Sequence, residues 1–298
     1  MRHRRFRFGV VAAQAPSGDQ WIEKARRIEE LGYDTLLMPD RLLGPVFSPI
    51  PALAVAAAAT RSLHVGTFVL PASWRNPVLL ARECATLDFL SGGRFEPGLG
   101  AGLGAEDNRR AGFSDEGPGA RVDRLAETLG VLRSILGGEQ DMADLRYPPP
   151  VRKEGPPILV AAGGRRSLAL AAREADIVSL GIRPDRGEEV LAERIGWLRS
   201  EAGERFPRLE LNINLLAVVG EGVPQDRVRQ RVRGLFGVEL DDIIRAGSPF
   251  VVSGSTEEMC EQLLGLRERL GISYVTVPDD LMEAFAPVVE RLGGQLRG

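Results

Sequence analysis

The stretch Arg61–Gly102, RSLHVGTFVLPASWRNPVLLARECATLDFLSGGRFEPGLGAG, decides the fold. Its β-branched and aromatic run Leu63–Leu70 reads as a strand, and Pro77–Leu90 reads as a helix. A Gly92-Gly93 turn follows. A second strand, Arg94–Leu99, then ends in Gly100-Ala101-Gly102. Two strands joined through a helix pair in parallel. Glycine where a strand ends lets a ligand come close to the backbone.

The same alternation runs outward in both directions. Arg5–Ala12 and Tyr33–Met38 read as the first two strands, with a helix at Gln20–Leu31 between them. An alanine-rich helix, Pro49–Thr60, precedes the opening stretch. Arg121–Leu136 is amphipathic, with Val122, Leu125, Leu129 and Leu132 on one face. Later strands are expected at Ile158–Ala161, Ala175–Leu180, Leu209–Val219 and Ser273–Val277, each followed by helix. Eight such units predict a (β/α)8 barrel of one domain, residues 1–298, with insertions in its βα loops. The largest is a helical insertion around 221–252. The proline-rich segment Gly137–Pro157 reads as a loop. Pro97 lies within a strand that should be buried, which suggests a late strand start.

Composition narrows the function. With 298 residues, 44% hydrophobic, 27% charged and a net charge of −3, the chain can bury a large core and is not a basic nucleic-acid binder. No apolar run is long enough for a membrane helix, and the basic start lacks an apolar signal core, so a cytoplasmic protein is expected. Cys84 and Cys260 have no metal spacing and read as core residues. The two histidines, His3 and His64, leave a histidine triad or zinc site nearly excluded. Lys24 and Lys153 are the only lysines among many arginines and alanines, as in a GC-rich coding genome.

In a barrel of this kind the active site lies where the strands end. Those ends carry Asp40-Arg41, Phe68-Val69-Leu70, Gly100-Ala101-Gly102-Leu103, Ala162-Gly163-Gly164-Arg165 and Arg183. Gly163-Gly164 before a helix would present free N–H groups to an anion, and Arg165 would add charge. A plain tight turn is the other reading. Asp40 and Arg41 read most simply as a surface ion pair. No self-contained nucleophile or acid–base pair is evident, so a cofactor is expected to carry the chemistry.

The segments LGYDTLLMPD, ATLDFLSGGRFEPGLGAG, PPILVAAGGRRSLALAAREADIV and SGSTEEMCEQLLGLRERLGISYV resemble the luciferase-like monooxygenase superfamily, especially its branch using the deazaflavin coenzyme F-420. The resemblance covers nearly the whole chain. It implies a non-proline cis peptide at Phe68, Val69 and Leu70 under the cofactor ring. It also implies a phosphate turn at Ala162, Gly163, Gly164 and Arg165, a pocket floor kept open by Gly100 and Gly102, and an acidic residue at Asp40. Arg41 would anchor substrate or cofactor, and Arg183 the cofactor's acidic tail. The chain departs from the pattern in two places. Arg41 replaces a histidine common after that Asp, and Leu103 replaces a glutamate proton donor. Glu106 and Asp107 follow soon after and read as solvated loop charges.

The implied activity is hydride transfer between F-420 and a small organic substrate. The alternative is an FMN-dependent monooxygenase supplied by a flavin reductase. A third is a flavin- or deazaflavin-binding protein without turnover. Relatives often dimerise. Helices Pro49–Thr60 and Pro77–Leu90 offer flat faces for a homodimer, although packing on the barrel accounts for them equally.

Overall fold

The computed structural model describes residues 4–42, 44, 46–102, 105–113, 116–137, 147–223 and 225–293. The first half runs β1 (Arg7–Val11), α1 (Gly18–Glu30), β2 (Thr35–Met38), α2 (Pro49–Ala59), β3 (His64–Thr67), β4 (Leu70–Pro71), α3 (Pro77–Leu90), β5 (Phe95–Glu96), β6 (Gly98–Gly100), α4 (Ala105–Arg110) and α5 (Pro118–Leu136). The second half runs β7 (Leu159–Ala162), α6 (Arg165–Glu174), β8 (Ile177–Leu180), α7 (Glu188–Ala202), β9 (Glu210–Asn214), β10 (Ala217–Val219), α8 (Gln225–Phe236), α9 (Leu240–Arg245), β11 (Val251–Ser253), α10 (Thr256–Leu270), β12 (Ile272–Pro278) and α11 (Met282–Gly293). Local chemistry sets several boundaries. Ser17 accepts from the Gln20 amide at the start of α1, and Ser255 and Glu258 cap α10 reciprocally. Gly271, left-handed at φ 76°, ends α10.

Ten strand segments form one parallel sheet in the order β4-β6-β7-β8-β9-β12-β1-β2-β3-β5. Only Phe68 and Val69 separate β3 from β4, and only Pro97 separates β5 from β6. Since β3 pairs with β5 and β4 with β6, the two ends of the sheet are joined through the chain. The ten segments thus correspond to the eight expected strands, curled into a barrel-like sheet. Pro97 corrects an expectation: it does not mark a late start but divides one strand in two. Lacking an N–H, it breaks the ladder at its own position, while its carbonyl still accepts from Leu159 at 2.9 Å.

The expected seventh strand, Leu209–Val219, is also broken. β9 stays in the barrel, whereas β10 leaves it and pairs in parallel with β11. The segment 221–252 is therefore entered and left through a small sheet of its own.

Apolar packing falls into two clusters. The larger one lies between strands and helices and includes Phe8, Leu36, Leu53, Leu99, Val160 and Ile213. The smaller one, Leu37, Leu159, Ile177 and Tyr274, fills the barrel interior, with the partly exposed Val11, Phe68 and Val69 packed against it. Cys84 and Cys260 are free and buried, as expected. No described helix is long and apolar enough to cross a membrane.

Candidate active site

Above the interior cluster, at the C-terminal ends of the strands, opens a cavity of about 1080 Å³ with mostly apolar walls. That volume is at the upper end of the roughly 300–1,000 Å³ usual for a ligand pocket, large enough for a sizeable organic cofactor.

One wall is a shelf made by the break between β3 and β4. The Phe68–Val69 peptide is cis, and both residues line the cavity. The neighbouring strand is fitted tightly against them. A Cβ on Gly98 would stand 1.9 Å from the Thr67 carbonyl oxygen, and one on Gly100 would stand 2.7 Å from Val69 Cγ2. Thr67 Oγ1 accepts from the Gly98 amide at 2.7 Å and donates to its carbonyl at 2.8 Å. Gly100 is thus required by the shelf itself, and Gly102 by its left-handed φ of 82°. Leu70 does not line the cavity; it is fully buried in the layer beneath the helices.

The turn between β7 and α6, one strand further round the sheet, forms another part of the wall. Its two glycines play different parts. A Cβ on Gly163 would meet the Gly181 carbonyl oxygen at 2.3 Å, so the strand end demands glycine there. A Cβ on Gly164 would meet only Ser167 Oγ, at 3.8 Å, and Gly164 leaves its side open to the cavity. Ser167 Oγ accepts from the amides of Gly163 at 3.3 Å and Gly164 at 3.2 Å, closing the first turn of α6. The N–H groups expected to be free are therefore engaged by Ser167, whose hydroxyl in turn donates to the Gly164 carbonyl at 3.0 Å, and an anion at this helix start would take the place of that hydroxyl.

Sequence placed the turn's cation at Arg165. That guanidinium instead lies 4.6 Å from the ring of Trp197 on α7 and is not part of the cavity wall. Arg166 and Arg121 line the cavity instead. Arg166 pairs with Asp123 at 2.7 Å. Arg121, in the opening turns of α5, has a buried Nε with no partner among the described residues. Arg183 lines the cavity and pairs with Asp185 at 2.8 Å, a contact that raises the guanidinium pKa and lowers the carboxyl pKa.

At the end of β2 the expected Asp40–Arg41 pair is not formed. Asp40 instead bonds Arg75, which stands between the β4 end and α3. Both Asp40 and Arg41 line the cavity, with Arg41 exposed. The next residue back from Arg75, Trp74, also faces the cavity; its indole donates to Asn108 Oδ1 at 2.7 Å and stacks on Phe113. This contact fixes α4, so Glu106 and Asp107 stand on a short helix and not in a loop.

Leu103 lies outside the described residues, as does 138–146 of the expected loop Gly137–Pro157. Glu106 is ion-paired with Arg110 and Arg109, and these contacts lower its carboxyl pKa, in keeping with a solvated charge. Asp107 lines the cavity with a buried Oδ1 that lacks a partner among the described residues. No described cluster of three His, Cys, Asp or Glu could hold a metal.

The family model for luciferase-like monooxygenases matches residues 5–238, and the chain belongs to that family. It is 29% identical over 293 residues to 4-hydroxyprotoasukamycin monooxygenase of Streptomyces nodosus subsp. asukaensis, covering 92% of this chain and 77% of that protein. It is 30% identical over 218 residues to F420-dependent glucose-6-phosphate dehydrogenase of Kribbella flavida, covering 67% and 64% of the two chains. In fold it resembles the coenzyme F420-dependent tetrahydromethanopterin reductase of Methanopyrus kandleri, with a TM-score of 0.74 at 17% identity over 97% and 98% of the chains.

Proposed function

We propose that this cavity binds coenzyme F-420 and that the protein is an oxidoreductase moving a hydride between the deazaflavin ring and a small organic substrate. The observation that carries the reading is that the open side of Gly164, Arg121 and the cis Phe68–Val69 shelf line one cavity. Together they would make a seat for a phosphate and a shelf for a ring, with the phosphate displacing Ser167 Oγ from the two turn amides. The residues fit such a cofactor. Gly163, Gly164, Ser167 and Arg121 would hold the phosphate, and Phe68 and Val69 would support the ring. Arg183 would face the acidic tail. The cofactor would supply the redox chemistry, which this cavity's side chains lack.

Reduced FMN is the second reading. It is favoured by the similarity, across most of the chain, to a monooxygenase. It would require oxygen and a reductase partner. In either case we take residues 1–298 as one barrel unit, with 221–252 inserted between its last strands. The charge-free outer face of α2, with Pro51, Val55 and Ala58, would suit a second copy of the chain.

A parallel titration with F-420, FMN and FAD tests the proposal. Micromolar F-420 binding with weaker FMN binding is expected. Gly164→Asp should abolish it through repulsion of the phosphate, while the protein stays folded because Asp is a favourable helix cap. Tight FMN binding with substrate-dependent oxygen uptake would replace the deazaflavin reading by the monooxygenase one. A bound chromophore with no substrate-dependent redox change would leave a binding protein.

A further inference from the structure

We infer that the substrate of this site carries an oxyanion, a carboxylate or a phosphate, on an apolar body, and that Arg41 binds the anion while Trp74 bears the body. The inference rests on the reading of the cavity as a cofactor site, because it concerns the space the cofactor leaves.

Arg41 lines the cavity, is exposed, and has no ion pair among the described residues. Of the acids that line the cavity, Asp40 is committed to Arg75 and Glu106 to Arg109 and Arg110, and Asp107 forms no ion pair with Arg41. The Asp40–Arg75 contact ties the end of β2 to the segment after β4. Arg41 follows Asp40 in the chain and Trp74 precedes Arg75, and both line the cavity. Trp74 is held in place by its bond to Asn108 and by Phe113, whose ring is parallel to within 10° at 6.4 Å. It offers a fixed apolar surface at little further ordering cost.

The strand order separates this wall from the phosphate seat. Arg41 follows β2 and Gly164 follows β7, with the β3–β4 and β5–β6 strands between them. A phosphate seated on Gly164 leaves Arg41 uncovered, so the cavity keeps a second cationic pole after the cofactor binds. Arginine does not give up its proton in proteins, so this residue is suited to hold an anion rather than relay a proton. Its planar fork matches the two oxygens of a carboxylate or phosphate.

The test is calorimetric titration with three probes of one shape: 2-naphthoate, 2-naphthyl phosphate and the neutral 2-naphthamide. It uses the full chain and its variants Arg41→Gln, Arg41→Lys and Arg121→Gln, in buffer free of phosphate. The wild type should bind an anionic probe at least tenfold more tightly than the amide. That preference should vanish in Arg41→Gln, survive in part in Arg41→Lys and persist in Arg121→Gln. Which anion binds better decides between carboxylate and phosphate. Equal binding of anion and amide, no binding of any probe, or a preference that survives Arg41→Gln would overturn the inference. A preference lost in Arg121→Gln instead would place the anion on the phosphate seat, sinking this inference while leaving the cofactor site intact. Failure of F-420 and FMN to bind, with the preference still tracking Arg41, would do the reverse.

Discussion

At the N-terminal end of the barrel, Arg7, Glu96, Glu210 and His64 close on one another, while at the C-terminal end Arg41 and Arg121 line the cavity with no ion pair among the described residues. Arg7 reaches Glu96 at 2.5 Å and Glu210 at 2.6 Å, and lies 4.4 Å from the Tyr274 ring. His64 Nδ1 stands 3.0 Å from Glu96 Oε1, and the Tyr274 hydroxyl is 2.5 Å from Thr35 Oγ1. Burial opposes the charge on Glu96, but Arg7 and His64 outweigh it and hold the carboxyl below its usual range. For Glu210 burial wins and the pKa is raised. One side chain, Tyr274, belongs to both the ionic group below and the apolar plug above. The difference teaches where this chain has charge to spare. Below the plug it is consumed by structure; above it, Arg41 and Arg121 line the cavity with no ion pair among the described residues.

The comparison breaks if an arginine from each end behaves alike. Arg7→Met should cost about 3 to 5 kcal/mol of unfolding free energy, since it strands two buried carboxylates. Adding Glu96→Gln should recover part of that loss. Arg121→Gln should leave the denaturation midpoint unchanged and weaken F-420 or FMN binding about 10- to 100-fold, the worth of a hydrogen bond to a charged group. Denaturant melts and cofactor titrations on both variants decide it. A stable Arg7→Met protein would show that the lower cluster is not structural.

A finer cut lies inside the glycine turn. Gly163→Ala should destabilise by about 1 to 3 kcal/mol, because its Cβ would be forced against the Gly181 carbonyl. Gly164→Ala should change stability by no more than about 0.5 kcal/mol, having open space beside it. Equal thermal shifts in the two variants would mean that the glycines share one role.

These contrasts mark what a single sequence could yield. Alternating strands and helices were legible because each carries its own periodicity, and the glycine-rich ends were legible as glycine. The role of each glycine was not: Gly163 answers to the Gly181 backbone and Gly100 to Val69, partners set by strand register. Arg94 of the SGGRF segment proves structural, bonding the carbonyls of Ala57, Leu63 and Ser91. Asp40 pairs across 35 residues with Arg75, and nothing local announces that. Arg165 looked like the turn's cation because it is adjacent in sequence. One step along the helix swings it toward Trp197 and brings Arg166 to the cavity. Pro97 carried a true warning, that a buried ladder is broken there, but not its consequence for the sheet.

An effect smaller than those at Arg7 and Gly163 concerns another charge consumed at the N-terminal end, Glu29 on α1. Its Oε1 accepts from the amides of Arg61 at 2.9 Å, Ser62 at 2.6 Å and Leu63 at 2.9 Å, and from Ser62 Oγ at 2.9 Å. It thereby fixes the turn that enters β3. Burial raises the carboxyl pKa, but the four donors together outweigh it and the net shift is downward. A depressed carboxyl stabilises the fold above its unfolded value of about 4.3 and loses that contribution as pH falls through the folded value. Glu29→Gln keeps the acceptor oxygen and removes only the charge. It should be less stable than the wild type at pH 7 by about 0.5 to 1.5 kcal/mol. Its stability curve should meet the wild-type curve once the pH is below the depressed pKa. Curves that stay parallel down to that range would mean that the shape of the turn, not the charge of Glu29, holds it.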